Sequence, residues 1–100
     1  MTGVFTLLRT DWSEIPCLSA VGELGPEALA PLVRATSDLL EDATERATLD
    51  LTAVTALSEA SIAVISATFQ IATRQGVIVQ IASSPAVRAA FHAAGYVTDS

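Results

Sequence analysis

Lysine is absent from this chain, and its five basic residues are all arginines: Arg9, Arg34, Arg46, Arg74 and Arg88. They are scattered, and eleven acidic residues outweigh them to give a formal charge of −6. Nucleic-acid binding draws on clustered Lys and Arg to neutralise phosphates, so that class of partner is not expected. Cysteine is nearly absent too. Cys17 stands alone, which rules out an internal disulfide and leaves no zinc-ligand spacing. His92 is the one imidazole, and no acid or base stands near it at a motif spacing. "GELG", residues 22–25, lacks the lysine and the glycine spacing of a phosphate cradle. No apolar run approaches the length of a membrane span, so no membrane insertion is expected. "MTGVFTLLRTDWSE" has no basic segment followed by a long apolar one, and so does not read as a signal peptide. The cytoplasm is the expected compartment. What is present is 51% hydrophobic and only 16% charged, which describes one folded domain over residues 1–100.

The hydrophobic pattern orders the elements. "VFTLLR", residues 4–9, reads as a first strand and "IPCLSAVGEL", residues 15–24, as a second, with "TDWSE" as the turn between them. A link this short makes an antiparallel hairpin. A first helix follows Gly25, with Pro26 and Glu27 in its first turn and Pro31 delaying or kinking its start. Leu29, Leu32, Val33, Thr36, Leu39 and Leu40 share one apolar face of it. "ATLDLT", residues 47–52, alternates as a third strand, and "AVTALS" is a loop or an irregular continuation. A second helix runs from about Glu59 to Arg74, with Ser58 as N-cap and Gly76 ending it. "VIVQIA", residues 77–82, is a nearly continuous apolar strand of the kind expected inside a covered sheet. Ser84 and Pro85 open a third helix, whose inner face is Val87, Ala90, Phe91 and Ala94. Gly95 closes it, and a loose "TDS" tail follows.

This order, β-β-α-β-α-β-α, predicts an α/β fold. A β-hairpin start feeds parallel βαβ units in a mixed four-stranded sheet, with helices packed on it. The second helix is unusual. Ile62, Ile65, Phe69 and Ala72 make one apolar stripe, and Val64, Thr68 and Ile71 make another. Either both stripes are buried or one is left for a partner. Catalytic chemistry is poorly served. His92 falls off the inner face of its helix, and Cys17 sits in a strand. The acids Glu23, Glu27, Asp38, Glu41, Asp42 and Glu45 suit a solvated face better than a metal site. No enzyme activity, cofactor or metal is expected.

One segment carries more information than the rest. "LDLTAVTALSEASIAVI", residues 49–65, resembles the STAS domain, the fold of bacterial anti-sigma-factor antagonists. The family pattern is a strand ending "DLS", a "GV"-like pair, then "DSSG" entering a helix. Here Asp50-Leu51-Thr52 and Ala53-Val54 stand in the first two places. Ser58 falls on the family aspartate, Glu59 on the phosphorylated serine, Ala60 on the next serine and Ser61 on the glycine. "VGELG", residues 21–25, is similar to the family's "GELD", with Gly25 in place of the aspartate. "RQGVIVQIASSPAVRAAFHAAGY", residues 74–96, is similar to its ending.

The resemblance implies transcription regulation by partner switching. The expected partner is an anti-sigma factor or serine-kinase-like regulator, bound through Ser58, Glu59, Ser61, Ile62 and Val64. A phosphorylated serine at the mouth of this helix gains roughly −1.5 to −2 charge and three acceptor oxygens, which would repel a docked partner. Glu59 has no hydroxyl to receive the phosphoryl group, so the usual switch is expected to be missing. Its fixed charge is then either a partial imitation of the phosphorylated state or simply a favourable charge on the helix dipole. STAS domains also serve as accessory subunits of membrane transporters and as small-molecule or lipid-binding domains, and both remain alternatives. A homodimer that buries apolar surface is also open.

Overall fold

The computed structural model describes residues 4–10 and 15–95. Strand β1 spans Phe5–Thr10 and β2 spans Cys17–Leu24. A short 3-10 turn, Pro26–Ala28, leads into α1, Leu29–Asp42. Strand β3, Arg46–Leu57, is followed by α2, Glu59–Gln75, then β4, Ile78–Ser83, and α3, Pro85–Ala93. The turn expected at "TDWSE" falls, beyond Thr10, outside the described residues, as does the "TDS" tail.

The strands form one sheet in the order β1-β2-β3-β4. β1 and β2 pair antiparallel, whereas β2–β3 and β3–β4 are parallel. This is the mixed four-stranded α/β sheet expected from the pattern. One sheet face supplies the core through Leu18 and Ala20 of β2 and Ala47, Leu49 and Leu51 of β3. Leu32, Leu39 and Leu40 of α1 and Ile62, Ile65 and Ala72 of α2 join them in one cluster, with Val87 and Phe91 of α3. Each fully buried leucine of this set is worth about 1.5–3 kcal/mol relative to exposure. On the other sheet face, Leu8, Ser19, Asp50 and Ala82 lie in one row and are exposed or half-buried.

Local chemistry accounts for the element ends. Pro26 sits where the 3-10 turn begins, and Pro31 falls in the first turn of α1, where an N–H would have no helical partner. The α-helix proper therefore starts after the expected Gly25 boundary. Gly76 ends α2 at φ 73, the left-handed region that glycine enters freely. Gly22 has φ 97, and a Cβ there would lie 2.2 Å from the Val4 carbonyl oxygen, which accepts the Glu23 N–H. The glycine of "VGELG" is thus required by the hairpin backbone.

Two expectations are corrected. β4 is not an interior strand. It lies at the sheet edge, its burial alternates, and Ile78 is 58% exposed. Its mostly apolar run reflects strand propensity rather than cover on both faces. Val33 points out of the α1 inner face. Of the two readings of "AVTALS", the irregular continuation is the one observed, and the third strand runs through "AVTAL" to Leu57. It does so by bulging. Ser19 pairs with Asp50 and Val21 with Ala53, then Gly22 with Val54 and Glu23 with Ala56. In each interval β3 carries one residue more than β2, which bends the strand and increases its local twist.

Candidate functional site

The parallel strands β2 and β3 end together, with Leu24 opposite Leu57, and α2 begins at once. Ligand and partner sites in α/β sheets gather at such carboxyl ends of parallel strands. The junction is held by hydrogen bonds centred on one carbonyl. Leu24 O accepts the Ser58 N–H at 2.9 Å and the Ser61 hydroxyl at 3.2 Å. Ser58 is the N-cap of α2. Its oxygen accepts the Ser61 N–H at 3.2 Å, and its hydroxyl donates to Ser61 Oγ at 3.1 Å. Both serine hydroxyls are therefore committed to holding α2 against the end of β2.

Glu59 occupies the first residue of α2 and is exposed, with no ion-pair partner among the described residues. A carboxylate at this end interacts favourably with the helix dipole by about 0.3–1 kcal/mol. Exposed Glu23 and Glu27 flank Leu24 and Gly25 in the chain.

The structure divides the five residues expected at the contact. Glu59 is exposed, and Ser58 and Val64 are half-buried. Ser61 and Ile62 are inside, at 0% and 3% exposure, and in this conformation offer no surface to a partner. Ala60, Ala63 and Ala67 are exposed along the same helix, with Thr55 and Ala56 exposed on the bulged end of β3. Sequence patterning did not single out these small residues, because an alanine fits either side of a helix. The two apolar stripes of α2 are largely accounted for internally. Ile62, Ile65, Ala72 and Thr68 are buried, and α2 packs against α1. Only Ile71 stands out, at 43% exposure.

Two further polar groups shape this end of the sheet. Asp50 Oδ1 accepts the Thr52 hydroxyl at 2.6 Å and the Thr52 N–H at 3.0 Å. These bonds, the side-chain one first, hold the Asp50 carboxyl below its ordinary pKa against a smaller opposing effect of burial. Its role is local support of the first β3 bulge. Ser84 caps α3 by accepting the Val87 N–H at 3.2 Å, and its hydroxyl donates to the Val54 carbonyl at 2.7 Å. The sequence marked Ser84 as a cap, but the tie to Val54 depends on the bulge, which no local pattern shows.

His92 is exposed on α3, and Cys17 is half-buried in β2 with Ser19 Oγ 3.9 Å from its sulfur. No group of three or more metal-ligating side chains occurs among the described residues. No helix among them is long and apolar enough to cross a membrane. A cleft of about 460 Å³ lies between β1 and α1, over Leu7, Leu18 and Ala35, remote in the chain from the α2 start.

The fold is STAS-like. It superposes on an anti-sigma factor antagonist from Mycobacterium paratuberculosis with a TM-score of 0.77 and 23% identity, over 95% of this chain and 87% of that one. An antisigma-factor antagonist STAS domain from Rhodobacter sphaeroides aligns with a TM-score of 0.64 and 15% identity, over 77% of this chain and 84% of that one. Mglu, a much longer protein, aligns with a TM-score of 0.67 and 15% identity, over 78% of this chain and 19% of that one. The sequence matches no family model and no curated relative.

Proposed function

We propose that this chain is a non-enzymatic, protein-binding regulator of the anti-sigma-factor antagonist kind, with Glu59 in the place of the phosphorylated serine and the phosphorylation switch lost. One observation carries this reading. An exposed carboxylate stands at the first residue of α2, while the two flanking hydroxyls are tied into the N-cap. The partner is an anti-sigma factor or serine-kinase-like protein that meets the α2 start. The contact consists of Glu59, the accessible parts of Ser58 and Val64, and exposed Ala60 and Ala63. Ser61 and Ile62 act from beneath by fixing the helix.

The STAS-like fold shared with two anti-sigma factor antagonists supports the kind of partner. Glu59 cannot accept a phosphoryl group as a stable ester, Ser61 is buried, and Ser58 would have to leave its cap to react. Incubation with ATP and an anti-sigma serine kinase should therefore leave the intact mass unchanged. A stoichiometric gain of one phosphate on Ser58 or Ser61 would overturn the loss of the switch.

A further inference from the structure

The face of the sheet turned away from the helices is uncovered among the described residues. β2, β3 and β4 follow one another in a single direction across the sheet, so right-handed crossovers place α1 and α2 on the same side. α3 joins them there, since its Val87 and Phe91 enter the same core. Parallel strands are ordinarily covered on both faces, and here three of them are covered on one. The register sorts the open face into rows. Cys17, Thr48 and Gln80 lie side by side in one. Asp50 and Ala82 share the row on one side of it, and Arg46 and Ile78 the row on the other. Arg46 and Asp50 are the only charges that the register places in these rows. Arg46 is exposed and has no ion-pair partner among the described residues. Asp50 binds Thr52 through Oδ1, and its Oδ2 takes no bond among those residues. Four residues apart on one strand, the two charges are about 13 Å from each other and do not pair within a chain.

We propose that this face packs against the same face of a second copy of the chain, about a two-fold axis that crosses the strands along the Cys17–Thr48–Gln80 row. The axis lays β3 over β3 of the other copy in the opposite direction. Arg46 and Asp50 stand two residues to either side of Thr48, so Arg46 of each copy lies over Asp50 of the other. Stacked sheets sit about 10 Å apart, a gap that an arginine stem and an aspartate close between them. On β4 the same operation sets Ile78 over Ala82, large against small. It also sets Gln80 over its own mate, where each amide can donate and accept. The charges single out this register and this occupant. Moving the axis by one row would set Asp50 on Asp50, or Arg46 on Arg46. Four strands wide and six residues long, the face measures about 20 Å by 20 Å, and side-chain relief adds to the area it buries. The overall charge of −6 on each copy opposes association, so the dimer forms as concentration rises. It uses the face opposite the helices, and therefore stands or falls apart from the role of Glu59.

Sedimentation velocity on the full chain over a concentration series should show a monomer passing to a dimer. Arg46→Asp and Asp50→Arg each set like charges against one another and should each remain monomeric. Mixed in equal amounts, the two variants restore both opposite-charge pairs and should dimerise again. Circular dichroism reports whether each variant folds. If Asp50→Arg does not, the wild type and Arg46→Asp decide the matter through the lone thiol. Cys17 lies on the axis with its mate about 10 Å away, too far for a disulfide but within reach of a short bis-maleimide. That reagent should join two wild-type copies through Cys17 and leave Arg46→Asp unjoined. A wild type that stays monomeric at every concentration overturns the proposal. So do single variants that dimerise as the wild type does, folded variants that fail to associate when mixed, or a dimer that the thiol reagent does not link.

Discussion

Replacing Ser84 by alanine should be among the most damaging one-atom changes in this protein. The side chain is buried and does two jobs. It accepts the Val87 N–H as the cap of α3, and it donates to the Val54 carbonyl at 2.7 Å, joining α3 to the bulged half of β3. Loss of a serine cap costs about 1 kcal/mol. Depriving a buried carbonyl of its hydroxyl partner costs a further 1–3 kcal/mol or so. The expected loss is about 2–4 kcal/mol, against a total stability of roughly 5–15 kcal/mol for a domain of this kind. At the usual ratio this lowers the melting temperature by roughly 10–30 °C. Ser58→Ala is the internal reference, because Ser58 caps α2 from a half-exposed position and should cost only about 1 kcal/mol. Ser84→Thr keeps both the donor and the acceptor and should fall close to wild type. Urea titrations of the three variants, read by circular dichroism, give the comparison. A loss at Ser84 no larger than at Ser58 would refute the claim that the Val54 tie supports the strand ends.

Gly22→Ala should destabilise the protein by about 1–3 kcal/mol in the same titration, because it combines a positive φ with a Cβ 2.2 Å from Val4 O. A stability within error of wild type would mean that the β1–β2 hairpin is not built as described. Asp50 has its folded-state pKa lowered by the Thr52 bonds, so its contribution is complete above the ordinary carboxylate value of 3.8 and is lost as pH falls below it through the folded value. The gap in stability between wild type and Asp50→Ala should therefore be constant near neutrality and close in acid. An NMR titration placing the Asp50 midpoint at or above 3.8 would contradict this.

The parts legible in the sequence are those set by short-range patterning. The α2 start was readable because Ser58, Glu59 and the apolar residues behind them make a local cap signature. The β1–β2 hairpin and the capped start of α3 follow from similar signals. What escaped depends on contacts between distant segments. β3 continues to Leu57 only because two extra residues are absorbed against β2, and a bulge has no period of its own. β4 looked central because an apolar run does not distinguish burial on both faces from an exposed edge. Ser61 looked like a surface neighbour of Glu59. Its burial follows from the Leu24 carbonyl of another strand, thirty-seven residues away in the chain.

The proposed role of Glu59 requires its carboxylate to lie within a protein-binding surface. Isothermal titration of an anti-sigma factor of the serine-kinase type into the wild-type protein and into Glu59→Ser tests this directly. Removing the fixed charge should tighten binding, while folding stability falls by no more than about 1 kcal/mol from the lost helix-dipole interaction. Equal affinities for the two proteins, with only the stability changed, would show that Glu59 serves the helix alone and that the partner docks elsewhere.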